Sequence, residues 1–199
     1  DFTVKVDVTG LAPATTYYYR FEALGARSVV GRTRTLPAGS AGRVRMALAS
    51  CSNYPHGYFN AYARIAERTD LDLVLHLGDY LYDYHQGRYF DPDLAKDRAV
   101  DPPTESLALA DYRKRYALYR TDVDLQAAHQ QHPFVCTWDD HEIANNAWRD
   151  GAENHQKDEG DYHVRRAAAY QAYLEWLPVR EAASARQPIL YRSFAIGDL

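Results

Sequence analysis

Three short apolar runs, each ending abruptly in chemically active side chains, constrain this chain more than any other feature. Met46-Ala47-Leu48-Ala49-Ser50-Cys51 ends at a thiol. Leu73-Val74-Leu75-His76-Leu77-Gly78-Asp79-Tyr80-Leu81-Tyr82 ends at an aspartate and two tyrosines, and Val135-Cys136-Thr137-Trp138-Asp139-Asp140-His141-Glu142 ends at carboxylates and a histidine. Runs of this kind read as buried strands. In an open α/β sheet, groups at the carboxyl ends of the strands converge on one crevice. Ends bearing Cys, Asp, Tyr, Asp and His therefore read as a polynuclear metal site, since like charges as close as Asp139 and Asp140 are costly without a cation.

From Arg43 onward, strands and helices alternate, as in a sheet with crossover helices. Phe59, Tyr62, Ala63 and Ala66 recur at helical spacing. A strand is expected over 72–77, a helix over 104–120 with its cap near 104–105, and another helix over 122–131. Residues 83–104 and 143–159 read as long polar excursions. A last helix is expected to bury Val164, Ala167, Tyr170, Leu174 and Leu177 and to stop at Pro178.

The first 36 residues read as all-β. Residues 2–8 alternate, 16–23 form a tyrosine-rich strand, and 28–35 form a third. The stretch from Gly10 to Tyr17 reads as the corner that precedes a late strand of an immunoglobulin-like or fibronectin type III sandwich, where a tyrosine hydroxyl meets upstream backbone. Three strands are too few to stand alone. Residues 1–36 are thus expected to be the C-terminal part of such a β domain, 37–43 a linker rich in Pro, Gly and Ser, and 44–199 the start of an α/β catalytic domain. The chain opens directly in strand pattern and ends in a strand-like run at 191–199, so it reads as an internal piece of a longer protein.

Composition matters here for what it excludes. A net charge of -4 offers no electrostatic case for binding nucleic acid or an anionic membrane surface. An anionic substrate would need local positive charge, which metal ions supply. No apolar run approaches the roughly 18 residues of a spanning helix. Of the two cysteines, Cys136 reads as a buried core thiol, and Cys51, by its place in the cluster, as a ligand. A disulfide between them would require their strands to be neighbours.

Gly78-Asp79-Tyr80-Leu81-Tyr82, followed by an Asp-His-Glu turn at 140–142, resembles the calcineurin-like metallophosphoesterases, purple acid phosphatases included. Ala49-Ser50-Cys51, Gly57-Tyr58-Phe59, Asp111-Tyr112-Arg113 and Trp138-Asp139-Asp140-His141-Glu142 with Asn145-Asn146 extend the likeness over nearly the whole chain. That set is similar to the PhoD-type alkaline phosphatases. The broader superfamily ends its first strand in Asp-x-His. Here Cys51-Ser52-Asn53 stands there, a departure shared with the PhoD type that implies an unusual first metal.

The resemblance implies metallophosphoesterase-type sheets flanked by helices, with Fe³⁺ and Ca²⁺ as cofactors. Cys51, Asp79 and Tyr82 would give a ferric ion thiolate, carboxylate and phenolate donors. Asp79 would bridge the metals, and Asp140 would bind the second, oxygen-seeking Ca²⁺. His141 would contact the phosphoryl group or protonate the leaving group, with Glu142 orienting its imidazole. Adjacent residues at a strand end should diverge, which turns His141 from the metals toward substrate. Arg113, Arg120, Asn145 and Asn146 are candidates to touch phosphate. The other histidines read as surface or core.

The implied activity is hydrolysis of phosphomonoesters, extending to diesters, by a bimetal-activated hydroxide in an exported, periplasmic or extracellular, protein acting on small phosphate esters. Two alternatives stand beside it: a phospholipase-D-like phosphodiesterase, and a degenerate non-catalytic metal-binding module. Histidine motifs beyond Leu199 would separate enzyme from module.

Overall fold

The computed structural model describes residues 3–94, 96–180 and 191–199. Its N-terminal segment carries four short strands, β1 (Thr16–Tyr19), β2 (Glu22–Ala23), β3 (Ala26–Arg27) and β4 (Gly31–Arg34), paired antiparallel as β1–β4 and β2–β3. At the expected corner the Ala12 N–H donates to the Tyr17 hydroxyl at 2.8 Å. Thr35 Oγ1 reinforces it, accepting from the Thr15 N–H and donating to the Ala12 carbonyl.

The strand expected over 2–8 does not form over the described residues 3–8. Alternation makes a strand only when a neighbour completes its hydrogen bonds, and none is present among the described residues. Lys5 instead donates to the carbonyls of Leu174 and Val179. The run over 16–23 breaks into β1 and β2, and that over 28–35 shortens to β4. Residues 191–199 form a turn closed by Ile196 and Leu199 rather than a strand.

The apolar runs behave as expected. β5 (Met46–Ala49), β6 (Leu73–His76) and β7 (Phe134–Cys136) make one parallel sheet with β6 in the middle. The register sets Ala49 beside His76 and His76 beside Cys136, so all three strands end at the same level. Helix α1 (Asn60–Ala66) joins β5 to β6; α2 (Leu109–Tyr119) and α3 (Val123–Gln131) join β6 to β7. Asp122 starts α3 by accepting from the N–H groups of Asp124 and Leu125, both at 3.0 Å. Helix α2 begins later than expected, because Asp111 accepts from the N–H groups of Leu107 and Ala108 and the Ser106 N–H goes to the Asp83 carbonyl. Residues 104–108 thus serve the loop beside Asp83. Within the loop expected at 143–159, β8 (Ala147–Trp148) and β9 (Gly151–Ala152) form a small hairpin, ahead of α4 (Tyr162–Trp176).

The face that α4 buries matches the expected one at Leu174 and Leu177 and differs from it nearer the start of the helix. Ala169, Ala172, Tyr173 and Leu174 are buried, but Val164 is 68% exposed and the long Arg165 is 2% exposed. An arginine can take a core position when its donors are all paired, and Arg165 is paired as described below. The core is rich in tyrosine, with Tyr80, Tyr112, Tyr116, Tyr119 and Tyr173 almost wholly buried. Most of these hydroxyls find partners, as buried phenols must. Tyr112 donates to the Ile143 carbonyl at 2.6 Å, and Tyr119 accepts from the N–H groups of Tyr54 and Tyr82.

Both cysteines are free, Cys51 exposed and Cys136 buried. They follow or end the two outer strands β5 and β7 with β6 between them, so the condition for a disulfide is not met. Burial pushes the Cys136 thiol up to about 12, as suits an inert core thiol. No helix among the described residues is long and apolar enough to cross a membrane.

Candidate metal centre

The sheet delivers its polar ends to one point through two unusual turns. Gly78 has φ +111, and a Cβ there would lie 2.2 Å from the Asp139 nitrogen, so only glycine lets the β6 turn close against the β7 turn. Asp79 and Cys51 also have positive φ, +51 and +57, a conformation that costs an L residue energy and recurs at functional sites. Backbone bonds hold them there: the Cys51 N–H donates to the Gly78 carbonyl at 3.1 Å, and the Ser52 N–H to the Asp79 carbonyl at 2.8 Å. Beneath the turn, the Gly78 N–H donates to His76 Nδ1 at 3.3 Å, which leaves the ring proton on Nε2, 2.9 Å from the Tyr62 hydroxyl. Tyr62 in turn meets Ser52 Oγ at 2.6 Å. Burial pulls the His76 pKa down to about 4, so this support stays neutral.

Glu142 is a second support, and here the structure corrects the sequence reading. Its fully buried carboxylate accepts from the N–H groups of Asp79 at 3.1 Å, Tyr80 at 2.6 Å and Asp139 at 2.9 Å, stapling the β6 and β7 turns together. Burial pushes its pKa up to about 7 while the three N–H donors work the other way. It does not orient His141.

That task falls to Asp83, whose Oδ1 lies 2.7 Å from His141 Nδ1. Asp83 Oδ2 receives Asn154 Nδ2 at 2.7 Å and Arg165 Nη2 at 3.2 Å, and Arg165 also pairs with Glu105 at 2.7 Å. Burial alone would disfavour the imidazolium, but the hydrogen bond and charge of Asp83, aided by Asp79 and Asp140, raise the His141 pKa overall. Sequence reasoning missed Asp83, Glu105, Asn154 and Arg165. The available signal was a second aspartate four residues after Asp79 and an arginine inside a helical core pattern.

Asp79, Asp140 and His141 each bring one ligand atom to within 4.8 Å of the others. The expectation that Asp140 and His141 diverge is therefore not met, because the chain turns straight after Asp139, with the Ile143 and Ala144 N–H groups returning to the Asp140 carbonyl. Asp139 is the solvated member of the pair. Tyr82 donates to Asp79 Oδ2 at 3.2 Å, while the His141 N–H approaches Asp79 Oδ1 at 3.3 Å, so the two oxygens of one carboxylate face different sides. Burial raises the Asp79 pKa, and Asp140 and Asp139 add to the rise. Burial pushes the Tyr82 phenol above its usual range, with the charges of Asp79 and Cys51 pushing the same way. Asp79, Asp140 and His141 are thus brought together with Tyr82 on Asp79, while Cys51 reaches the group through Tyr82 and lies outside the three-residue cluster.

The candidates for touching phosphate fare differently. Arg113 makes a two-pronged pair with Glu175 at 2.7 and 2.6 Å that ties α2 to α4, so its guanidinium is committed away from the cluster. Arg120 is turned to the Tyr80 hydroxyl. Asn146 stays at the site, its N–H donating to Asp140 Oδ2. Asn145, half-buried beside it, receives the Asn154 N–H on its carbonyl.

A mixed α/β domain with a partly buried acidic cluster at the carboxyl edge of its parallel sheet is the class that fold and site define. Within that class, the chain belongs to the PhoD-like phosphatase family, whose profile matches residues 46–199, while that of the PhoD-like phosphatase N-terminal domain matches residues 1–37. It is 44% identical over 201 residues to alkaline phosphatase D of Bacillus subtilis (strain 168), covering 99% of this chain and 34% of that protein. A solved structure described as "Structure of PhoD" superposes with a TM-score of 0.88 at 42% identity, over 98% of this chain and 38% of the other. The chain thus spans little more than a third of the length of either relative.

Proposed function

We propose that the full-length protein is a metal-dependent phosphoester hydrolase, acting on phosphomonoesters and extending to diesters. The observation that carries this reading is the convergence of Asp79, Asp140 and His141 within 4.8 Å at the sheet's carboxyl edge. The donor chemistry fits cations. Asp79, whose pKa is raised by burial and by the neighbouring charges of Asp140 and Asp139, is relieved when a cation joins it. Cys51, Asp79 and Tyr82 form a thiolate, carboxylate and phenolate set suited to Fe³⁺, and Asp140 offers the oxygen that suits Ca²⁺. Asp79, with its oxygens facing opposite sides, suits a bridging role. When bound, such a pair of cations makes water acidic enough to attack at neutral pH and balances charge on the phosphoryl oxygens.

The protein's own groups do the rest. Asp83 holds His141 through Nδ1 and leaves Nε2 to hand a proton to the departing alkoxide. Arg165 and Asn154 hold Asp83, and Asn146 fixes Asp140. Nothing in the site favours a phospholipase-D-like diesterase or a non-catalytic module. The fibronectin-like character of residues 1–36, supported by the Tyr17 corner, and an exported location, supported by the family likeness, belong to the same proposal.

The full-length protein should hydrolyse nitrophenyl phosphate, and His141→Ala should keep its metals while kcat falls roughly 10²–10⁴-fold, less for that good leaving group than for an alkyl phosphate. Elemental analysis beside the kinetics decides the role of His141. Loss of metal would make it a ligand, and absence of wild-type turnover would sink the hydrolase reading.

A further inference from the structure

One aromatic ring in the excursion that follows the Asp79 turn is neither buried nor relaxed. Tyr89 has φ +50, a left-handed conformation that a bulky L residue rarely adopts, yet the residue is 63% exposed. Hydrophobic burial therefore does not account for its placement. The backbone is held from the metal side: Asn53, two residues beyond Cys51, donates Nδ2 to the Tyr89 carbonyl at 2.9 Å. A turn at 85–88, with Gly87 at φ +87 and the Arg88 N–H on the His85 carbonyl, brings the chain to that point.

The ring is aligned as well as exposed. Its plane lies 19° from Tyr82 at a centroid distance of 6.1 Å and 25° from His56 at 5.8 Å, while the Tyr84 ring, at 6.1 Å, is tilted by 57°. Tyr82 and Tyr84 flank the His141 imidazole at 4.1 and 5.0 Å. Aromatic surface thus runs without a break from His141 outward to Tyr89 and the exposed His56. Arg88, 5.3 Å from the Tyr84 ring centre, adds a cation to the same rim.

We propose that Tyr89, with His56 and Tyr84, forms a stacking ledge that selects phosphoesters whose leaving group carries a flat aromatic or heteroaromatic ring. The proposal rests on the hydrolase reading above and names its substrate class. A leaving group whose oxygen lies at His141 leaves the site past Tyr82 and Tyr84 and arrives at Tyr89. The near-parallel planes of Tyr82, Tyr89 and His56 favour one more flat ring in offset stacking, with the tilted Tyr84 at its edge, an arrangement that a puckered ring cannot match.

Benzyl phosphate and cyclohexylmethyl phosphate test this, since both release a primary alcohol of similar size and only the first carries a flat ring. With the full-length, metal-loaded protein, Tyr89→Ala should cut the benzyl-to-cyclohexylmethyl ratio of kcat/KM about tenfold, mainly through KM, and Tyr89→Phe should preserve the ratio. An unchanged ratio in Tyr89→Ala overturns the ledge, whether both substrates suffer equally because Tyr89 only props its loop or neither suffers because another part of the protein covers it. If the wild type hydrolyses neither ester, the hydrolase reading fails. Calorimetric titration with benzylphosphonate and cyclohexylmethylphosphonate then still judges the ledge: a wild-type preference for the benzyl ligand, lost in Tyr89→Ala, supports it, and no preference overturns it.

Discussion

The N-terminal strands and the sheet–helix body use polar groups in opposite ways. In residues 3–36 side chains are mostly exposed, and order comes from short-range bonds such as Ala12 to Tyr17 and Thr15 to Thr35. This segment meets α3 through surface polar contacts, Arg32 to the Gln131 carbonyl and Gln130 to the Val30 carbonyl. In the body, Asp83, Arg115, Arg165, His76 and Glu142 are almost wholly buried, each with a partner on another element of the chain. Burying charge costs far more than exposing it unless every lone pair and proton is matched. The lesson is that buried charge marks where a fold is committed to holding a site, whereas exposed polar bonding marks where it merely holds its own shape.

Removing Arg165 should produce the largest effect. Arg165→Met leaves the buried Asp83 and the half-buried Glu105 without their cation, so the full-length protein should lose about 3–5 kcal/mol in chemical denaturation. A loss below about 1 kcal/mol would erase the contrast between the two regions. The smallest effect should come from Tyr17→Phe, which deprives one accessible N–H of its acceptor and should cost about 0.5–1 kcal/mol. A loss matching that of Arg165→Met would show that the N-terminal segment is bound into the body more tightly than its surface contacts indicate.

The same contrast explains what could be read from the residues alone. The ends of β5, β6 and β7 were legible because continuous apolar runs interrupted by Cys, Asp and His have few other uses, and Asp79, Asp140 and His141 do meet, with Tyr82 on Asp79 and Cys51 beside Tyr82. The start of α3 was legible from Asp122, a local cap. Asp83 was not, because proximity along the chain pointed to Glu142 as the partner of His141, whereas the true partner is 58 residues away. Arg165 was hidden for a related reason: a hydrophobic pattern treats arginine as solvent-facing, and its acceptors lie 60 and 82 residues distant. The strand expected at 2–8 failed in the opposite sense, as a correct alternation without a partner to pair with.

The central claim is that the acidic cluster at the sheet's carboxyl edge is a metal centre that hydrolyses phosphoesters. Asp79→Asn in the full-length protein tests it most directly, because the change keeps the side chain's shape and removes the charge at the middle of the cluster. Iron and calcium content by elemental analysis, measured beside turnover of nitrophenyl phosphate, should fall together, with activity reduced beyond the ~10–100-fold typical of losing an outer partner of a metal ligand. Full metal content with undiminished turnover in this variant would contradict the account.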